Sequence, residues 1–514
     1  MTELQHAAKA TRPRIQPAEE GDRRPLSVSA RLGRLQFHQS GKFRVLQFAD
    51  IQDGPKVSKD TISLIEASLD ATRPDLVIFN GNQIAGYDSA YALTSRKRRW
   101  DARPASASSE ASGERYAAAL EHTRELVRAT IEQLVHPLAD RGVPWAVTFG
   151  NHDFQCGLDN AEIESICREF PGCINPERAA DGTTGIAVKH GVKHDVGDME
   201  QDFGLPEQPV IACAPGTFAL SVTDVDRTYD VLGLVLLDSG DYARSGGYGS
   251  PSEAALRFLA DAPGLMAAQS QQLQQDRQDD EQDSPREPRK TPSTLPCMVF
   301  QHFPIEQYYR LLKPVAATAA RAIEGYRNFA GRHFVLNEDK TQPGSYLGEG
   351  VSCPDADSGE FAILDKAGYF AISAGHDHRN AFVGSVPVGT DGDRQMMMVA
   401  SPTSGFGSYG PVPAKRAARL FEFDIRHPYE PRTQLLEYDE LVGKPSAGKA
   451  YAYGMTSESK PDSEGMDLLH RPTCGARRGT SWSRCSAGSC LLTSRSAGSL
   501  SGGDYSLSRL LALK

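Results

Sequence analysis

Five short apolar runs in this chain end in side chains that can bind a cation or move a proton. In order they deliver Asp50-Ile51-Gln52, Gly81-Asn82-Gln83, Gly150-Asn151-His152-Asp153, His302 and Gly375-His376-Asp377-His378. Imidazole nitrogens and carbonyl or carboxylate oxygens suit borderline divalent metals such as Mn, Fe and Zn. A lone His after an apolar strand is ordinarily a hydrogen-bonded structural residue. In GHDH, however, residues i and i+2 at a strand end point the same way, so His376 and His378 can aim two imidazoles at one cavity.

The elements that must position these residues read as an α/β fold. FRVLQFAD (residues 43–50) and DLVIFNGNQ (residues 75–83) are buried strands that deliver polar residues at their ends. Between them SKDTISLIEASLDATRP spaces Ile62, Ile65 and Leu69 on one helical face and offers Ser58 as an N-cap, predicting a helix that stops before Pro74. Together they make a βαβ unit. An amphipathic helix over roughly 114–140 leads to PWAVTFGNHD, and DVLGLVLLDSGD, PCMVFQHFP and YFAISAGHDH are further strands. Open α/β sheets bind ligands beyond the carboxyl ends of their strands, so the polar ends are expected to converge.

Composition narrows the function classes. The chain has 514 residues, 39% hydrophobic and 24% charged, and a net charge of -10 that argues against a surface coating nucleic acid. The longest apolar run, Val231 to Leu237, is far too short to span a bilayer. The N-terminus has no apolar signal core, and nine scattered Cys without a CxxC pair suit a reducing compartment, so a cytoplasmic location is the expectation. Cys156 reads as a small buried hydrophobe. Residues 1–40 read as a disordered lead-in, 41–438 as the functional domain with exposed insertions near 94–113 and 269–290, and 439–514 as a low-complexity tail. Arg96-Lys97-Arg98-Arg99 reads as a solvated face, Asp238 to Asp241 as a structural turn, and Asp53 as a turn residue. Tyr308, Tyr309 and Asn380 are left outside the site.

The ordered set resembles the calcineurin-like metallophosphoesterase superfamily, whose pattern runs D-x-H, GD, GNH[D/E], an isolated His and GHxH. GNHD and GHDH are intact, and the match runs from Asp50 to His378. VFQHFPIEQYY, EGVSCP and GHDHRNAF are most similar to the intracellular phosphatase branch related to the purple acid phosphatases. The resemblance implies a four-layer α/β/β/α sandwich of two mixed sheets flanked by helices. It also implies a divalent site in which Asp50, Gln52 and His378 hold one ion and Asn151, His302 and His376 the other, with Asn82 bridging. His152 is then the general acid or phosphate donor, oriented by Asp153.

Two positions depart from the pattern. Gln52 stands where the family has its first His, and Asn82 where it has the bridging Asp. An amide brings no negative charge and bridges two dications poorly. At least one ion is therefore expected, at Asn151, His302 and His376. The resemblance implies hydrolysis of a phosphate ester by attack of metal-bound hydroxide. A one-metal hydrolase and a non-catalytic phosphate-binding or scaffold protein are the alternatives that the two amides leave open.

Overall fold

A computed structural model describes residues 24–101, 110–177, 185–188, 205–280 and 293–443. Order begins earlier than the sequence predicts. Helix α1 (Val28–Leu32) is capped by the Ser27 hydroxyl, and Leu35 and Phe37 behind it are fully buried. The expected lead-in over 1–40 is thus corrected from residue 24 onward. Its anchor is Asp75, a buried carboxylate that accepts from Ser29 N at 3.2 Å, Ser29 Oγ at 3.0 Å and Arg44 N at 2.9 Å, with His38 Nε2 at 2.8 Å. Such long-range polar anchoring leaves no hydrophobic period to read. Asp75→Ala is expected to cost about 2–4 kcal/mol, because several buried donors lose their acceptor together. Urea denaturation checks this, and a loss below about 1 kcal/mol would mean that the segment is not integral to the domain.

Strand β1 (Lys42–Phe48), α2 (Lys59–Thr72) and β2 (Leu76–Asn80) form the expected βαβ unit, with β1 and β2 parallel. Ser58 caps α2 and the helix gives way at Arg73, before Pro74, as its sequence predicts. Helix α3 (Glu110–Arg141) leads to β3 (Trp145–Thr148), parallel to β2, and α4 (Asn160–Cys167) opens on a capping box of Asp159 and Glu162. Strands β4 (Gly185–Val188), β5 (Pro209–Ala214), β6 (Thr217–Thr223) and β7 (Asp230–Leu237) form an antiparallel meander. Helix α5 (Glu253–Asp280) returns the chain to β8 (Cys297–Gln301), parallel to β7.

A small sheet of β9 (Leu312–Val315), β10 (Ile323–Glu324) and β11 (His333–Leu336) follows. Helix α6 (Glu360–Ala367) precedes β12 (Tyr369–Ala374), then β13 (Val383–Val388), β14 (Arg394–Ala400), β15 (Ala417–Asp424), β16 (His427–Glu437) and α7 (Tyr438–Val442). One large sheet has the order β16-β15-β1-β2-β3 and the other β13-β14-β12-β8-β7-β6-β5-β4, and both mix parallel and antiparallel pairs.

The alternation of side chains along the strands explains the layers. Phe43 and Val45 of β1, Leu76 and Ile78 of β2, and Leu234, Leu236, Met298 and Phe300 of the second sheet share one core between the sheets. The intervening Leu46, Phe48, Val77 and Phe79 pack on α2 and α3, while Val235, Leu237, Cys297 and Val299 pack on α5. This is the expected four-layer α/β/β/α sandwich. The expected insertions are only partly described: 94–101 are docked on the domain and 102–109 lie outside the described residues, as do 281–290, while α5 runs to Asp280. Beyond residue 443 the tail also lies outside them. Among the described residues no helix is long and apolar enough to cross a membrane.

Candidate metal centre

The polar strand ends meet at one edge, where parallel strands from both sheets finish. Asp50 and Gln52 follow β1, Asn82 follows β2, Asn151 to Asp153 follow β3, His302 follows β8, and His376 and His378 follow β12. The chain turns sharply there, and Asp50, Gln52, Asn82 and His376 all have left-handed backbones, with φ of 52°, 45°, 55° and 70°. Such conformations are costly away from glycine and gather at functional sites. Gly81 lets the two sheets approach: its φ is 87°, and a Cβ there would sit 2.5 Å from His302 Nδ1.

Hydrogen-bond partners assign the orientation of each polar group. The Asn82 carbonyl accepts the His152 backbone N–H at 2.8 Å, which turns its Nδ2 inward. There Nδ2 lies 3.0 Å from Asp50 Oδ1, 3.2 Å from Asn151 Oδ1 and 2.8 Å from His302 Nε2. His302 Nδ1–H donates to the Asn80 carbonyl at 3.1 Å, and His378 Nδ1–H to the Tyr409 carbonyl at 2.6 Å, so both rings direct Nε2 into the cluster. Asp50 Oδ2 accepts the His376 backbone N–H at 2.6 Å. His376 Nε2 is buried without a hydrogen-bond partner among the described residues.

Electrostatics make Asp50 the negative charge of this cluster. Burial opposes its ionisation, but His302, followed by His378 and His376, holds the carboxyl well below the usual carboxylate range. Burial in turn lowers the pKa of both His302 and His376, so these rings carry the charge that acidifies Asp50 only at low pH and present a lone pair for coordination at neutral pH.

The donor chemistry fits a cation. Asn82 Nδ2 has two hydrogens for three acceptors. His378 Nε2 faces Asp50 Oδ1 at 3.3 Å, a contact that either a second proton or a shared cation must join. Asn151 Oδ1 lies 3.1 Å from His302 Nε2, and the His302 and His376 ring centroids are 5.1 Å apart with His376 Nε2 unpartnered, which makes these three the candidate ligands of one ion. The fit to two ions is poor, because an amide NH2 stands where a bridging oxygen is needed. Among the described residues no three His, Cys, Asp or Glu side chains form a ready cation cage, and Asn82 and Gln52 stand where the family pattern has a carboxylate and an imidazole. Gln52 Oε1 is also engaged, accepting from Tyr87 OH at 3.3 Å.

One expected contact, Asp153 on the His152 ring, is not made. Asp153 does not orient His152: its carboxylate accepts the backbone N–H groups of Gly150 at 2.7 Å, Asn82 at 2.8 Å, Gln83 at 2.8 Å and Ile84 at 3.3 Å. It ties the β2 and β3 loops together, and burial pushes its carboxyl up to about 6. His152 is held instead by Gln155, whose Oε1 accepts Nδ1–H at 2.8 Å, while Asn151 Nδ2 lies 3.3 Å from His152 Nε2. Burial pulls His152 down to about 4, so the resting ring is neutral rather than protonated.

Several contributors escaped the sequence reading. Tyr242 OH accepts from Asn151 Nδ2 at 2.8 Å, Tyr409 stacks on His378 at 4.1 Å, and Tyr87 meets His152 edge-on at 4.9 Å. Tyr242 directly follows the Asp238 to Asp241 turn, and that position was its only available signal. Asp238 and Ser239 within the turn are structural, holding Arg99 and the Phe303 N–H. Asp53 is committed to Thr61 and Ser58, Asn380 to the 348–349 backbone, and Tyr308 to the Val399 carbonyl. Cys156 is buried, and burial pushes its thiol up to about 12.

Residues 43–211 match the family model of the calcineurin-like phosphoesterases. The chain is 21% identical over 388 residues to Phosphatase DCR2 of Saccharomyces cerevisiae, a match covering 70% of this chain and 47% of that protein. It thus spans about half that relative's length. It is 20% identical over 421 residues to "Probable inactive purple acid phosphatase 29" of Arabidopsis thaliana, covering 78% of this chain and 82% of the relative. To "Probable inactive purple acid phosphatase 28" of the same plant it is 22% identical over 411 residues, covering 76% and 77%.

Proposed function

We propose that this chain, whose residues 43–211 match the calcineurin-like phosphoesterase family model, hydrolyses a phosphate ester with the help of one bound divalent ion. One observation carries this reading: acceptors outnumber hydrogens around the buried carboxylate of Asp50, and His376 Nε2 points to no partner. Asn151, His302 and His376 would hold the ion, with Asp50 and His378 beside it, and the donor types suit Mn, Fe or Zn. When bound, such an ion polarises a phosphoryl oxygen and makes a coordinated water more acidic.

The chain's own groups supply the rest. Gln155 keeps the proton of His152 on Nδ1, which leaves Nε2 as the basic atom facing Asn151. Water adds to phosphorus as the ester oxygen departs; Nε2 can take up a proton and return it to the leaving alcohol, so the products are phosphate and alcohol. An anionic phosphoryl group beside the ring favours its protonated form, offsetting the burial that keeps it neutral at rest. His152→Ala is expected to lower kcat by about 10²–10³-fold with metal content unchanged. Undiminished turnover would remove the ring from the reaction.

The second reading, a phosphate-binding protein without turnover, is favoured by Asn82 Nδ2, which already occupies the bridging position with its hydrogens. Assays of p-nitrophenyl phosphate and its bis ester with added Mn²⁺ decide between the two. Hydrolysis that stops on chelation supports the enzyme; inactivity on both esters with metal bound supports the binding protein.

A further inference from the structure

The basic run at 96–99 reads in sequence as a solvated face, but the structure docks it on the wall of the site. Arg99 forks onto Asp238 at 2.8 and 3.0 Å, and its backbone N–H donates to Asp241 at 2.8 Å. Arg96 N–H donates to the Gln155 carbonyl at 3.0 Å, and Gln155 Nε2 donates to the Lys97 carbonyl at 3.3 Å. The same glutamine holds His152, so this segment is tied directly to the reacting end of the site.

Between these tethers stands Arg98. Its guanidinium lies over the Tyr242 ring, 3.8 Å from the centroid, and the Tyr242 hydroxyl accepts from Asn151. A single aromatic ring therefore separates this cation from a candidate metal ligand. Arg99 is neutralised by Asp238, whereas the Arg98 guanidinium has one hydrogen bond among the described residues, to the Lys97 carbonyl at 3.0 Å. The Asp241 carboxylate attracts it without a hydrogen bond among the described residues, and the rest of its planar fork can meet further oxygen anions, the geometry that suits phosphate best.

We propose that Arg98 is the residue that reads substrate charge, favouring the dianion of a phosphate monoester over the monoanion of a diester. The proposal rests on the phosphoesterase reading and names its substrate class. A site with two dications and two carboxylates carries an excess of about two positive charges. With one ion and Asp50 as the cluster's carboxylate the excess falls to about one, which balances a diester but not a monoester dianion. Arg98 restores the second charge from its place over the Tyr242 ring, which fixes its position.

The test uses the full chain with Mn²⁺, wild type against Arg98→Ala and Arg98→Lys, with thermal unfolding to verify folding. For p-nitrophenyl phosphate, KM is expected to rise about tenfold in Arg98→Ala, with kcat changed far less and partial recovery in Arg98→Lys. The bis ester should change less than about twofold. Equal effects on both esters, or none on either, overturn the proposal. Calorimetry with inorganic phosphate and with dimethyl phosphate provides an arm independent of turnover. If the wild type hydrolyses neither ester, the enzyme reading fails, yet selective loss of phosphate binding in Arg98→Ala still upholds Arg98. Phosphate binding that is absent in the wild type, or unchanged in the variant, refutes it whatever the turnover.

Discussion

Asn82→Asp is expected to raise the bound divalent ions from one to two per chain and to increase turnover of p-nitrophenyl phosphate at least about tenfold. Aspartate has the shape of asparagine, so one oxygen can keep the His152 backbone N–H that Asn82 Oδ1 accepts at 2.8 Å. The other replaces Nδ2, now 3.0 Å from Asp50 Oδ1 and 2.8 Å from His302 Nε2. Without a cation that is a buried, uncompensated second negative charge, costing about 3–5 kcal/mol. With cations it becomes a bridge. The variant should therefore unfold at a much lower temperature in chelator than the wild type, and recover with Mn²⁺, since an ion at 100 times its Kd contributes about 2.7 kcal/mol. Unchanged stoichiometry and an unchanged response to chelator would show that residue 82 does not govern the second ion.

The opposite change is Asp50→Asn. Asp50 is fully buried and is the cluster's negative charge, ringed by His302, His376 and His378. Neutralising it is expected to weaken divalent-ion binding by on the order of 10²–10³-fold and to lower turnover to a comparable degree. The fold should survive, because the asparagine carbonyl can still accept the His376 backbone N–H that Oδ2 holds at 2.6 Å. Denaturation in chelator should then move by no more than about 2 kcal/mol. A variant that binds Mn²⁺ as tightly as the wild type would place the ion elsewhere.

Much of the scaffold was legible because buried strands have a period of two and end where the chain must turn. The βαβ unit from β1 to β2 and the cap at Ser58 follow from local pattern. The convergence of Asp50, Asn82, Asn151, His302, His376 and His378 follows from strand direction, which brings the carboxyl ends of parallel strands from both sheets to one edge. What escaped depends on which atom faces which. Sequence names Asn82 an amide but cannot say that the His152 backbone claims its carbonyl and turns the NH2 inward. Nor can it choose between Asp153 and Gln155 for His152, since both lie within one turn and the choice depends on which loop amides need an acceptor. The run of three arginines and one lysine looked solvated because charge patterning carries no information about Asp238 and Tyr242, more than a hundred residues away. The N-terminal segment was missed for the same reason, with Asp75 as its remote anchor.

The central claim is that the strand ends hold one divalent ion among Asn151, His302 and His376. Crystals of the wild-type chain grown with Mn²⁺ and measured at the manganese absorption edge address it without relying on turnover. A single anomalous peak within bonding distance of Asn151 Oδ1 and of the His302 and His376 rings is the expected result. A featureless anomalous map at that edge, or two peaks flanking Asn82, would contradict it.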